Sequence, residues 1–125
     1  MHQAVSRAIA TWFEGGFDLL LTPTLAEPPL PLGTLDDSGP DPMRAFWRAV
    51  PSGAFTALFN ATGQPAVSLP LHWSPDGLPI GVQLVAGFGR EDVLLGVSAQ
   101  LERARPWAGR APAVFAGRDT GVVRG

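Results

Sequence analysis

The sequence predicts an α/β fold, with a few β-strands in a mixed sheet flanked by helices. Three observations predict it. Apolar residues recur at helical spacing near both ends, at Val5, Ala8, Ile9, Trp12 and Phe13 and again at Val93, Leu94, Val97, Leu101 and Ala104. Short apolar runs of strand length lie between those two segments. Gly and Pro, at 15 and 13 residues, punctuate the chain densely enough to require short elements and many turns. At 125 residues the chain has the size of one domain, with residues 110–125 expected to form a flexible tail.

The first helix is expected over residues 4–13 and is stopped by Gly15-Gly16. Phe17 to Thr22 is a continuous apolar run closed by Pro23, which reads as a buried strand in a parallel or mixed sheet. Residues 23–40 form a proline-rich loop that cannot enter a sheet interior; it is either a stiff rim over a cleft or a plain connector. Asp41-Pro42 reads as an N-cap followed by proline at the first helical position. That helix carries Phe46, Trp47 and Val50 and is interrupted at Pro51. Ser52 can cap a further helical segment with Phe55, Leu58 and Phe59 on one side, which Gly63 ends. Ala66 to Leu71 and Ile80 to Ala86 are strands joined through the turn Ser74-Pro75-Asp76-Gly77, and together they read as a hairpin. Pro70 predicts an irregular ladder in the first of the pair. Asp92 can cap the last helix, and Pro106-Trp107 ends it.

Composition excludes several chemistries. All nine basic residues are arginine, so there is no lysine for a Schiff base or a P-loop. There is no cysteine, hence no disulfide, thiolate nucleophile or cysteine metal site. Net charge is −2 and the arginines are scattered, so no nucleic-acid partner is expected. No apolar run reaches membrane-spanning length, because the longest, near 17–25, is broken by Asp18 and Pro23. No membrane association is expected, and a cytoplasmic location is. His2 and His72 lack nearby carboxylate or cysteine companions, so no metal is expected. Gly87-Phe88-Gly89 has no third glycine in register, so no dinucleotide and no other cofactor is expected.

The run Phe55-Thr56-Ala57-Leu58-Phe59-Asn60-Ala61-Thr62-Gly63-Gln64-Pro65-Ala66-Val67-Ser68-Leu69-Pro70 resembles the amidase signature family. So does Gly77-Leu78-Pro79-Ile80-Gly81-Val82-Gln83-Leu84-Val85. Asp18 to Thr24 and Glu91 to Trp107 are similar to the flanking parts, so the resemblance covers roughly residues 5–115 and is strongest over 55–86. His72-Trp73-Ser74-Pro75-Asp76-Gly77 resembles a bacterial branch that includes 6-aminohexanoate-cyclic-dimer hydrolases. The resemblance implies the C-terminal portion of a large α/β/α sandwich around a mixed sheet. It also implies amide hydrolysis through a serine nucleophile, a second serine and a neutral lysine, with oxyanion donors from a glycine- and serine-rich loop. None of those catalytic groups maps onto this chain. Lysine is absent, and Ser6, Ser38, Ser52, Ser68, Ser74 and Ser98 stand singly.

The candidate substrate-binding residues are Thr56, Asn60 and Thr24. Thr56 and Asn60 lie one helical turn apart, on a helix that the resemblance places beside the substrate channel. The alternative for Asn60 is a brace to the following turn. Thr22 and Thr24 sit at a strand end, where α/β sites gather, or else bond the turn at Pro23. Gln83 is an amide in an apolar strand; if buried it must be paired, and it reads first as a structural tie. Ser68, His72 and Asp76 are a poor triad, because Ser68 and His72 on one strand face lie about 13 Å apart. Trp47, Trp73 and Trp107 read as core or interface aromatics. Gly53 stands where the glutamine-transamidating relatives carry a carboxylate, which argues against recognition of an α-amino group. These features predict the C-terminal part of an amidase, inactive alone. The alternative is an interaction module or self-associating chain that docks a separate N-terminal amidase half or a second copy of itself. A piece of a large sheet leaves strand edges and apolar faces to cover, so an oligomer is expected.

Overall fold

The computed structural model describes residues 2–41, 43–112 and 114–115. Four helices and three strands follow in the order α1 (His2–Glu14), β1 (Leu19–Pro23), α2 (Met43–Gly53), α3 (Ala57–Thr62), β2 (Ala66–Trp73), β3 (Pro79–Ala86) and α4 (Glu91–Ala104). The sheet order is β1-β3-β2, and both pairings are antiparallel. The expected α/β class holds, but the expected parallel or mixed pairing of the first strand does not. That strand skips its sequence neighbours and pairs with β3, which places Leu19 opposite Ala86 and Pro23 opposite Val82. Nor is it fully buried. With only one neighbouring strand, Leu21 is 65% exposed, and Phe17 lies just outside the strand and is exposed too.

The central strand β3 carries the core. Its residues Leu84 and Ala86 cluster with Leu69 of β2 and Leu94 of α4, and Leu19, Val67, Val97, Leu101 and Trp107 pack around them. The helical period of α4 and the two-residue period of β2 and β3 present these side chains to one another, so α4 covers one face of the sheet. On the opposite face, Gln83 bonds the backbone of Phe55, just ahead of α3, and α3 packs in turn against α1.

The element ends follow the local chemistry in most places. Gly63 ends α3 in the left-handed region, at φ 84°, and its N–H donates to Phe59 O at 2.8 Å. Gly77, at φ 78°, closes the hairpin turn, where Gly77 N–H donates to Ser74 O at 2.9 Å. Three expectations are corrected. Pro51 does not interrupt α2, which runs on to Gly53. A proline in the last turn forfeits one backbone bond, and little helix remains to be broken. Ser52 consequently lies inside α2, and Thr56 occupies the N-cap of α3 without a side-chain bond. Asp92 is not the cap of α4, which begins at Glu91. Arg90 holds the Asp92 carboxylate at 3.1 Å and keeps its pKa below the usual range, a favourable placement in a first helical turn.

Pro70 does disturb the ladder. Between Leu69 and His72 the register shifts, so that Leu69 faces Val82 and His72 faces Ile80. Three steps on β2 then run against two on β3, which is a bulge of one extra residue. Asp41 caps α2 as expected, accepting from Met43 N–H at 3.0 Å, while Pro42 lies outside the described residues. Of the expected flexible tail, residues 113 and 116–125 also lie outside them. Arg110 is held, with its guanidinium 4.2 Å above the Trp73 ring. Among the described residues no helix is long and apolar enough to cross a membrane.

Candidate functional site

A row of polar side chains lies on the sheet face away from α4. β2 alternates Ala66 and Ser68 on this face with Val67 and Leu69 on the core face, and β3 contributes Gln83. β1 contributes Thr22 and leads into Thr24, whose N–H donates to Gly81 O at 3.1 Å and extends the strand pairing by one residue. Thr56 and Asn60 approach from α3. Together Thr24, Thr56, Phe59, Asn60, Gln64 and Ser68, with Gln83 below them, line a cavity of about 300 Å³. All three sequence-based candidates, Thr24, Thr56 and Asn60, meet in it.

The hydrogen bonding divides these groups into held and free. Thr24 Oγ1 and Ser68 Oγ share a hydrogen bond of 2.7 Å. Gln83, only 3% exposed, donates from Nε2 to Thr22 Oγ1 at 2.9 Å and to Phe55 O at 3.0 Å. The Thr22 hydroxyl donates its proton to Pro23 O at 2.9 Å. Thr62 Oγ1 bonds the side-chain carbonyl of Gln64, which is buried. The Asn60 side chain makes no hydrogen bond with a described residue, so it is not the brace considered above, and the Thr56 hydroxyl makes no cap. Both line the cavity without a side-chain hydrogen bond to a described residue. Thr22 instead does what turn chemistry expects, and the structural tie expected of Gln83 is present.

Gly81 lets the Thr24–Ser68 pair exist. A Cβ at this position would stand 2.6 Å from Ser68 Oγ, 2.7 Å from Thr24 Oγ1 and 3.1 Å from Thr24 Cβ. The two hydroxyls therefore meet in the space that a side chain would fill. Sequence reasoning did not select Gln64, Ser68 or Gly81 for this site. The alternation of small polar and apolar residues from Ala66 to Leu69 is the signal that marks Ser68 as belonging to a polar face.

The bulge at Pro70 settles the triad question. Because of the extra residue, His72 takes the parity of Leu69 and not that of Ser68, so the two are not on one face as the unbroken strand predicted. His72 borders a cleft with Ala104 and Arg105 at the end of α4, apart from Ser68.

An apolar cleft of about 270 Å³ adjoins the polar cavity across Gly81, with Pro23, Pro28, Pro29 and Ile80 in its walls. The proline-rich loop is thus a rim, as one of its two readings held. Glu27 in this rim forms a two-pronged ion pair with Arg48 of α2, the second contact being 2.8 Å. These bonds hold the Glu27 carboxyl below its ordinary range and raise the Arg48 guanidinium. A larger cavity of about 580 Å³ lies between Trp73 and Trp107, but Arg110 is its sole ionisable wall residue and already sits against Trp73. Trp107 packs on the core, whereas Trp47 is 65% exposed and belongs to no core.

The profile of the Amidase family matches residues 1–95. The chain belongs to the amidase family. It is 47% identical over 109 residues to the 6-aminohexanoate-cyclic-dimer hydrolase of Pseudomonas sp. (strain NK87), a match covering 83% of this chain and 22% of that relative. It is 38% identical to one component of the glutamyl-tRNA(Gln) amidotransferase of Azotobacter vinelandii, over 88% of this chain and 22% of the relative. The solved structure of a 6-aminohexanoate cyclic dimer hydrolase superposes with a TM-score of 0.80 at 41% identity, covering 90% of this chain and 24% of that one. The resemblance to a fragment of the amidase signature fold is therefore established. The chain spans between a fifth and a quarter of the length of these amidase-family relatives.

Proposed function

We propose that this chain forms the C-terminal, amide-facing wall of an amidase and supplies binding groups without the catalytic ones. The observation that carries the reading is the convergence of Thr24, Thr56, Asn60 and Gln83 on one cavity, in a chain similar to amide hydrolases. An amide presents one acceptor and, when primary or secondary, at least one donor. The cavity answers with hydroxyls and carboxamides and carries no charge. The serine–serine–lysine chemistry of amide cleavage needs a neutral amine as proton acceptor, and the sequence holds no lysine. The proline-rich rim and its apolar cleft fit an aliphatic portion of the substrate beside the amide. Adding a polypeptide that carries the N-terminal three quarters of a related hydrolase is expected to produce turnover of a linear or cyclic aliphatic amide. No gain over the added polypeptide alone would count against this reading.

A second reading, self-association, is favoured by the outer face of α2. There Met43, Phe46, Trp47 and Val50 are all exposed, Phe46 at 56%. A contiguous apolar face of this kind is costly in water and is relieved by a partner. Light scattering at micromolar concentration is expected to give a mass above that of the monomer; a monomeric mass would refute this reading.

A further inference from the structure

Gln83 carries an acceptor that the protein itself does not use. Its Nε2 donates to Thr22 Oγ1 and to Phe55 O, at 2.9 and 3.0 Å, which spends both amide protons. Phe55 O is a carbonyl and can only accept, so the NH2 end of the amide must face it. The Thr22 hydroxyl has given its own proton to Pro23 O and so must accept from Gln83. Two independent contacts thus fix the orientation of the amide. Oε1 is then left without a hydrogen bond to any described residue. Among the described residues, Ser98 Oγ is the one side-chain polar atom both sealed from solvent and unpartnered. Oε1 is therefore not sealed, and the space that Gln83 borders is the cavity of Thr24, Thr56, Asn60 and Ser68.

Reached from the cavity, Oε1 takes its hydrogen-bond donor from whatever fills that cavity, solvent or ligand. The neighbouring hydroxyls do not supply it, since Thr24 and Ser68 bond each other. We infer that Gln83 Oε1 accepts an N–H from the bound ligand, which makes the cavity selective for primary and secondary amides over tertiary amides and esters. The inference rests on the amide-facing role proposed above and names the group that would read the amide nitrogen. A dialkylated nitrogen or an ester oxygen brings no proton, so either ligand would displace solvent from Oε1 and leave it unpaired.

The test is a titration of the 15N-labelled full chain with N-methylacetamide, N,N-dimethylacetamide and methyl acetate, following the resonances of Thr24, Thr56, Asn60 and Gln83. N-methylacetamide is expected to bind about threefold to tenfold more tightly than the other two, the worth of one hydrogen bond. The Thr22→Val substitution keeps a β-branched strand residue and the tie to Phe55 while removing one of the two contacts that aim Oε1. It is expected to narrow that ratio without unfolding the chain. An equal response to all three probes would overturn the N–H reading and leave the amide-facing role standing. No response at the cavity residues to any probe would overturn both.

Discussion

The Leu84→Ala substitution is expected to destabilise the chain by about 3 kcal/mol, within the range of roughly 2–5 for emptied core sites. Leu84 is 2% exposed and lies on the central strand, paired with Leu21 on one side and Val67 on the other. Leu69 and Leu94 close over it. A strand held by ladders on both edges cannot shift to refill the space, so most of the cavity would persist. A domain of this size has only about 5–15 kcal/mol in total, so the loss is large in proportion. Urea unfolding should show a lower midpoint at an unchanged slope. Leu21→Ala is the control. Leu21 faces its partner Leu84 from the edge strand but is 65% exposed, and its loss should cost within about 0.5 kcal/mol. Equal effects of the two substitutions would mean that the core does not lie between β3 and α4.

The second large effect is expected at Gly81. Gly81→Ala places a methyl group between two hydroxyls that now touch, with contacts of 2.6 and 2.7 Å that no real Cβ tolerates. Ser68 can rotate away, but Thr24 cannot clear the space by rotation alone, because its Cβ also stands at 3.1 Å. The cost is a lost hydrogen bond plus overpacking, about 2 kcal/mol together. The cause can be separated from generic strand effects by a double-mutant cycle. In a Ser68→Ala background the hydrogen bond is already absent and one obstruction is removed, so Gly81→Ala should cost markedly less there. Purely additive costs would show that the Thr24–Ser68 pair is not what demands glycine.

The local elements are legible in the sequence because their causes are local. The helical stripes of α1 and α4, the glycine that ends α3, the hairpin turn at Ser74 to Gly77 and the disturbance at Pro70 each follow from a few adjacent residues. What stays illegible is non-local. Nothing near Leu19 says that it will lie opposite Ala86, since that pairing depends on which faces α4 and α3 cover. The antiparallel order β1-β3-β2 therefore escapes sequence reasoning, and with it the exposure of Leu21. Pro51 reads as a break because proline is judged against a helix interior, whereas here the helix has less than one more turn to run. At the candidate site, Thr56 and Asn60 are legible from one-turn spacing, and Thr24 from its place at a strand end. Ser68 and Gly81 are not, because their partner Thr24 lies 44 residues before Ser68 and a glycine in a strand has many possible reasons. The unused acceptor of Gln83 emerges only when every proton around it has been assigned.

The central claim is that these residues hold an amide and do not cut it. Its most direct test is an amide-hydrolysis assay on the rigorously purified 125-residue chain with simple linear carboxamides and an aliphatic cyclic amide. The account predicts no hydrolysis above the buffer rate. Turnover that stays with the chain through successive purification steps, and that falls when Asn60 or Thr24 is replaced by alanine, would contradict it.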